Sequence, residues 1–197
     1  MKNTDFLQQV SDSETKIILD LLDKTAATDG DIVELGCYRG DTSLLLQRKI
    51  EKDSHFSNKK LWIYDSFEGL PQKSAFDASA AGDSFQAGEL YVSKKDVVMR
   101  FKKAGLKIPR IHKGFFENLD TSSDLPEKIS FAFLDGDLYQ SIKTSLELVW
   151  DKLAGGAIVV VHDYNNPELP GVTKAVDEWL NAHSGKLEVR ESLAILL

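Results

Sequence analysis

The sequence predicts an α/β fold, a mostly parallel sheet with helices on both faces. Three observations carry that expectation. Short apolar, β-branched runs alternate with stretches of helical periodicity along the chain. The central runs are apolar at consecutive positions, as strands covered on both sides are. The chain has 197 residues, 42% hydrophobic and 28% charged, which is enough for one sizeable core and unlike a disordered polymer.

Each element follows from its own pattern. Ser13 to Lys24 puts Ile17, Ile18, Leu21 and Leu22 on one helical stripe. Asp31–Leu35 reads as the first strand, Asp41 opens a helix over Thr42–Lys49, and Leu61–Tyr64 reads as the second strand. From Pro71 to Gly88 the pattern breaks into Ala, Ser, Asp and Gly. A stretch this long without periodicity is expected to be a lid or a substrate loop. Ser93 followed by Asp96 resembles a capping box and predicts a helix over Lys94–Lys103. Strands are expected at Ile108–His112, Ile129–Leu134 and Ala157–Val161. Between the last two, Tyr139 to Lys152 carries Ile142, Leu146 and Val149 at helical spacing. Gly171 to His183 does the same with Val172, Val176, Trp179 and Leu180. The tail, Leu187–Val189 and Leu193–Leu197, reads as one or two strands. One domain is therefore expected over residues 1–197, with an N-terminal helical segment over 1–30.

Composition narrows the partners. The 31 acidic and 24 basic residues leave a net charge of -7, whereas a dedicated nucleic-acid binder presents a basic face. Cys37 is the one cysteine, so no internal disulfide forms, and a reducing cytosol is the expected compartment. No apolar run approaches the ~18–20 residues of a membrane span. The opening MKNTDFLQQV has no signal-peptide core. The expectation is a cytoplasmic protein with a small-molecule partner, without membrane or nucleic acid.

The first strand leads into Glu34-Leu-Gly36-Cys-Tyr38-Arg-Gly40. A dinucleotide fold would carry G-x-G-x-x-G here, to seat a pyrophosphate on the following helix. This chain has E-x-G-x-x-x-G, and an acid at the strand end repels a diphosphate but suits a cationic ligand. The second strand ends in Tyr64-Asp65-Ser66, where a carboxylate can accept both hydroxyls of a ribose. This pair of features resembles class I S-adenosylmethionine-dependent methyltransferases. An ordinary strand-to-helix turn with Glu34 in a salt bridge is the alternative, and Cys37 and Tyr38 also read as packing residues of that turn.

Further stretches extend the resemblance. They are Leu61-Trp-Ile-Tyr-Asp-Ser-Phe-Glu-Gly-Leu-Pro71, Lys113-Gly-Phe-Phe-Glu117, Phe133-Leu-Asp135-Gly-Asp137-Leu-Tyr-Gln-Ser141, Gly155-Gly156 and Val161-His162-Asp163-Tyr164. Together, over roughly Asp31 to Leu180, they are similar to the macrocin O-methyltransferase family. The resemblance implies a Rossmann-like, mostly parallel seven-stranded sheet. It also implies methyl transfer from S-adenosylmethionine to a hydroxyl of a small molecule, such as a sugar of a natural product, assisted by Mg or Mn. By the same resemblance Glu34, Gly36, Tyr38, Gly40, Thr42, Asp65, Ser66, Gly114, Phe115, Phe116 and Asp135 form the cofactor site. Asp135, His162 and Asp163 fall at the metal, and Asp137 and His162 at the catalytic positions. A homodimer is a further possibility. Family members often carry an N-terminal extension that closes the site. Here that segment is short, and the Pro71–Gly88 loop would take its place.

The residues support this chemistry independently. Asp135 and Asp137 end one strand, and His162 and Asp163 end the next. Adjacent parallel strands end on one edge, so hard oxygen donors converge there. A hydroxyl is a poor nucleophile near neutral pH. A metal can lower its pKa, and a positioned base typically adds ~10²–10⁴-fold. Two alternatives stay open: Asp137 could cap the following helix, and His162 departs from the Asp-Asp usual in the family. The imidazole could ligate a metal with altered preference, act as a base without one, or bond to nearby backbone.

Overall fold

The computed structural model describes residues 9–183 and 185–197. Helix α1 (Asp12–Lys24) opens on a capping box. Ser11 Oγ accepts from Glu14 N, and the Glu14 carboxylate accepts from Ser11 N. Two of the helix's orphan donors are satisfied in this way, a contribution of about 1 kcal/mol. There follow β1 (Asp31–Leu35), α2 (Asp41–Lys52), β2 (Leu61–Asp65), α3 (Lys94–Lys103), β3 (Arg110–Lys113) and β4 (Ile129–Leu134). The chain continues through α4 (Tyr139–Trp150), β5 (Leu153–Val161), α5 (Pro170–Ala182), β6 (Leu187–Arg190) and β7 (Leu193–Leu196).

The strands form one seven-stranded sheet in the order β3-β2-β1-β4-β5-β7-β6. Pairing is parallel from β3 through β5, and β7 runs antiparallel to both β5 and β6. Side chains alternate between two cores. Val33, Leu35, Ala132, Leu134, Val159 and Val161 pack with Ile142 and Leu146 of α4 and Val172 and Val176 of α5. Their neighbours Ile32, Phe131, Phe133, Ile158 and Val160 pack with Ile18 of α1, Leu46 of α2 and Phe101 of α3. Burial on both faces is why these strands read as continuous apolar runs.

Several boundaries differ from the sequence reading. β3 begins at Arg110, not Ile108, because Pro109 has no N–H for the ladder, and Ile108 is left exposed. α2 continues to Lys52, where Asp53 closes it: its N–H bonds to Lys49 O and its carboxylate pairs with the Lys49 ammonium. α4 stops at Trp150, and β5 starts at Leu153 rather than Ala157. The register against β4 slips between Leu153 and Ile158, a stretch that contains Gly155 and Gly156, so the early part lacked a strand-like pattern.

The long loop after β2 is anchored. Its neck is closed by Leu70 N to Glu89 O at 2.8 Å and Gly88 N to Leu70 O at 2.9 Å. A short 3-10 turn, Ala75–Asp77, buries Asp77, whose Oδ1 accepts the Tyr139 N–H at 2.7 Å. Its other oxygen accepts Ser74 N at 2.8 Å. A Cβ on Gly171 would lie 2.0 Å from Asp77 Oδ1, so α5 approaches the same carboxylate closely. Among the described residues no helix is long and apolar enough to cross a membrane.

Candidate active site

β1 lies between β2 and β4, where the strand order reverses, and α/β sheets leave a crevice at such a point. A cleft opens there, lined by Gly36, Tyr38, Asp65, Ser66, Phe115, Phe116, Asp135 and Asp137. An adjoining recess shares Tyr38 and Asp135 with the cleft and adds Glu34 and Thr42. Gly40 and Gly114 line neither. Gly40 instead N-caps α2 at φ 79°, a left-handed conformation that glycine adopts freely. Ser66 lines the cleft but spends its hydroxyl on the turn, donating to Gly69 O at 2.7 Å.

The turn after β1 is built by close approach. Gly36 has φ 89°, and a Cβ there would stand 1.9 Å from the Asp135 carbonyl oxygen. Asp65 holds the turn from β2. Its Oδ2 accepts the N–H groups of Cys37 at 2.9 Å and Tyr38 at 3.0 Å, and its Oδ1 accepts Phe67 N at 2.7 Å. Three of a carboxylate's roughly four acceptor positions are filled, leaving one for a ligand hydroxyl. Phe116 is buried in the core beside α4, and Phe115 is half-buried at the cleft wall.

Glu34 is 1% exposed and accepts a hydrogen bond from Ser43 Oγ, and among the described residues it has no ion-pair partner, unlike the salt-bridged alternative. Burial pushes its pKa up to about 8, with the carboxylates of Asp135, Asp65 and Asp41 adding and Ser43 opposing. From about pH 4.5 to about 8 the folded protein therefore keeps a proton that the unfolded chain has released. Stability should fall across that window by up to about 1.4 kcal/mol per pH unit and then level off. Glu34→Gln should flatten this slope. Urea midpoints at pH 5.5 and 8 test it, and an equal pH dependence in both proteins would mean that Glu34 is ionised throughout.

At the ends of β4 and β5, His162 stands between acids. Its Nδ1 lies 2.8 Å from Asp135 Oδ1 and 3.0 Å from Asp163 Oδ2, and its Nε2 lies 3.8 Å from Glu14 Oε2. The ring is 5% exposed and bonds to carboxylates rather than to backbone, unlike the third reading above. Burial alone would discharge the imidazole, but Asp135, Asp163 and Glu14 outweigh it and hold the ring protonated well above its usual range. One donor atom each from Asp135, His162 and Asp163 falls within 4.8 Å of the others, a spacing that one cation can span. Asn166 Nδ2 donates to Asp163 Oδ1 at 2.8 Å, which leaves Oδ2 turned to the histidine.

Asp137 adopts φ 60°, in the left-handed region where Asp is tolerated better than most residues. Helix α4 is N-capped at Leu138 without a side-chain bond, and its first N–H goes to Asp77. Asp137 is thus not the helix cap and is left facing the cleft. Burial, then the charges of Asp135 and Asp163, push its pKa well above the usual carboxylate range, with His162 opposing. A carboxyl shifted in this direction is, once ionised, a stronger base than an ordinary carboxylate.

A sequence model described as macrocin-O-methyltransferase (TylF) matches residues 8–191. The chain belongs to this family. A relative from Streptomyces olivaceus, described as 8-demethyl-8-(2,3-dimethoxy-alpha-L-rhamnosyl)-tetracenomycin-C 4'-O-methyltransferase, is 32% identical over 142 residues, covering 68% of this chain and 53% of the relative. Demethyldecarbamoylnovobiocin O-methyltransferase of Streptomyces niveus is 31% identical over 158 residues, 76% of this chain and 58% of the relative. The chain thus spans between half and two thirds of the length of the curated relatives it matches. Among solved structures, that of the O-methyltransferase NovP superposes with a TM-score of 0.75 at 23% identity, covering 92% of this chain and 78% of that one. The calicheamicin methyltransferase CalS11 gives 0.75 at 19% identity, covering 95% and 80%. These likenesses confirm the class I methyltransferase fold expected from the sequence.

The sequence reading missed part of the cleft wall. Leu70, Leu90, Glu117 and Ser141 also line it, and Glu14 reaches the histidine from α1. The loop residues have no periodicity to reveal them. The one signal at Glu14, Ser11 three residues before it, reads simply as a helix start.

Proposed function

We propose that the protein transfers the methyl group of S-adenosylmethionine to a hydroxyl of a sugar carried by a small natural product, assisted by a divalent cation. The observation that carries this reading is the convergence of Asp65, Asp135 and Asp137 on one cleft whose other wall is aromatic. The acid-rich surround fits a ligand bearing a sulfonium and an ammonium. The free acceptor position on Asp65 fits a ribose hydroxyl. Relatives named for methylating a rhamnosyl tetracenomycin and mycinamicin III make a glycosylated acceptor the class to test first.

When bound, the cofactor supplies a methyl carbon already activated by its sulfonium, and a Mg or Mn ion would supply charge to acidify and orient the acceptor hydroxyl. Asp135 and Asp163 would hold the ion through carboxylate oxygens, and His162 would join them by releasing its Nδ1 proton as the ion binds. One nitrogen and two carboxylates suit Mn as well as Mg. The chain's own contributions are positional and basic. Glu34 and Asp65 hold the two ends of the cofactor, Phe115 and Phe116 exclude water beside its base, and an Asp137 carboxylate oxygen takes the acceptor's proton. Alignment of oxygen with carbon provides much of the remaining acceleration.

The test is calorimetric titration of chelator-stripped protein with S-adenosylhomocysteine, with and without Mn²⁺. Turnover on deoxysugar glycosides is then assayed under both conditions. Asp65→Ala should weaken S-adenosylhomocysteine binding by about 10-fold or more, the loss of a charge-assisted hydrogen bond and of the turn it holds. Unchanged affinity would remove Asp65 from the cofactor site. Turnover indifferent to chelator would favour a metal-independent protein of the same fold, and cofactor binding without any turnover a non-catalytic one.

A further inference from the structure

We infer that Glu14, in the first turn of α1, is a positioning residue for the Asp135–His162–Asp163 centre. Its carboxylate faces Nε2 as an ion-pair partner at 3.8 Å, on the side of the ring opposite the Nδ1 that meets the two aspartates. The inference rests on the divalent-ion reading above and adds a residue outside the strand ends.

Three observations carry it. Glu14 is buried at 7% exposure, and its ion-pair partner among the described residues is His162, at 3.8 Å. Its carboxylate is fixed independently of the ring. Oε2 accepts Ser11 N at 2.9 Å and Ser11 Oγ at 2.7 Å, and Oε1 accepts the hydroxyl of Ser192 in the β6–β7 turn. The opposite ring nitrogen is the one that faces Asp135 and Asp163.

A histidine that offers one nitrogen to an ion needs the other held as an N–H donor by a fixed acceptor. Otherwise the ring can flip or exchange tautomers, and a ligand is lost. Glu14 is the carboxylate that faces Nε2, at ion-pair distance, and an approach of less than about 1 Å would make it that acceptor. Its capping-box bonds tie the first turn of α1 to a ring just past the end of β5. Loss of such a partner typically lowers metal affinity 10–100-fold.

Two variants separate this role from helix seating. Glu14→Gln keeps a side-chain acceptor for the capping box but removes the charge facing Nε2, whereas Ser11→Ala breaks the box and leaves the Glu14 carboxylate. The probe is Mn²⁺, titrated by calorimetry into the chelator-stripped full chain, with S-adenosylhomocysteine affinity as the control for fold. Glu14→Gln should lose about 10-fold or more in Mn²⁺ affinity, keep its S-adenosylhomocysteine affinity, and differ from Ser11→Ala, which should bind Mn²⁺ nearly as wild type does. Wild-type Mn²⁺ affinity in Glu14→Gln would overturn the assignment. So would an equal loss in both variants, because Glu14 would then act only through the helix. A wild-type protein that binds no Mn²⁺ defeats the ion reading itself, and this inference with it.

Discussion

Asp137→Asn should leave S-adenosylhomocysteine affinity unchanged and lower kcat by about 10²–10⁴-fold on any acceptor that the wild-type protein methylates. The amide has the shape of the acid but cannot take a proton. Nothing else in the fold depends on that proton, because Asp77, not Asp137, receives the first N–H of α4. The variant should also melt no lower than wild type above neutral pH. Ionising Asp137 places a charge among those of Asp135 and Asp163 in a poorly solvated position, and the amide removes that cost. Stopped turnover with an intact cofactor site and an intact melt is therefore the expected combination. A kcat within threefold of wild type would require another base. A large drop in melting temperature would instead make Asp137 a structural residue.

Gly36→Ala should have the largest effect on the fold itself. Its Cβ would sit 1.9 Å from the Asp135 carbonyl oxygen, and φ 89° is a conformation that L-residues rarely adopt. Neither conflict is relieved by a side-chain rotation, because the obstructing atom is backbone. The strand ends are locked at this level: Gly36 N donates to Tyr64 O of β2, and Asp135 N to Leu35 O of β1, each at 2.8 Å. The cost should be about 3–5 kcal/mol, or on the order of 10 °C in Tm. A Tm within 2 °C of wild type, measured by calorimetry, would mean that the two strand ends part easily. Gly40→Ala provides the comparison. Its left-handed φ is also unfavourable for alanine, but the nearest atom is a movable Val97 methyl at 3.3 Å, so the loss should be smaller.

The fold and most of the site were legible because they rest on local signals. Ile129–Leu134 matches its strand residue for residue, since an apolar run between turn residues has one reading. Lys94–Lys103 matches its helix, since Ser93 Oγ accepts from Asp96 N as the spacing predicted. The acids at strand ends converge because parallel strands must end together. What stayed hidden was non-local. No spacing connects Glu14 with His162, which meet only after α1 packs on the sheet. Nothing in Ser74-Ala-Phe-Asp77 announces that its aspartate caps a helix more than sixty positions further on. The cap reading of Asp137 could be set aside only once that other cap was found.

The bond from Asp77 to Tyr139 also bears on how the protein fails on heating. The segment from Ala78 to Gln86 is largely exposed and holds little buried surface, so it belongs to the part of a domain that opens locally at a fraction of the global free energy. Opening that reaches Asp77 releases the first turn of α4, which begins two residues after Asp137. Asp137, the proposed base, then loses its fixed place while the sheet and both cores remain intact. On warming, methyl transfer would therefore fade before the protein melts. Substitutions in this loop would be felt first as lost turnover and only later as lost fold.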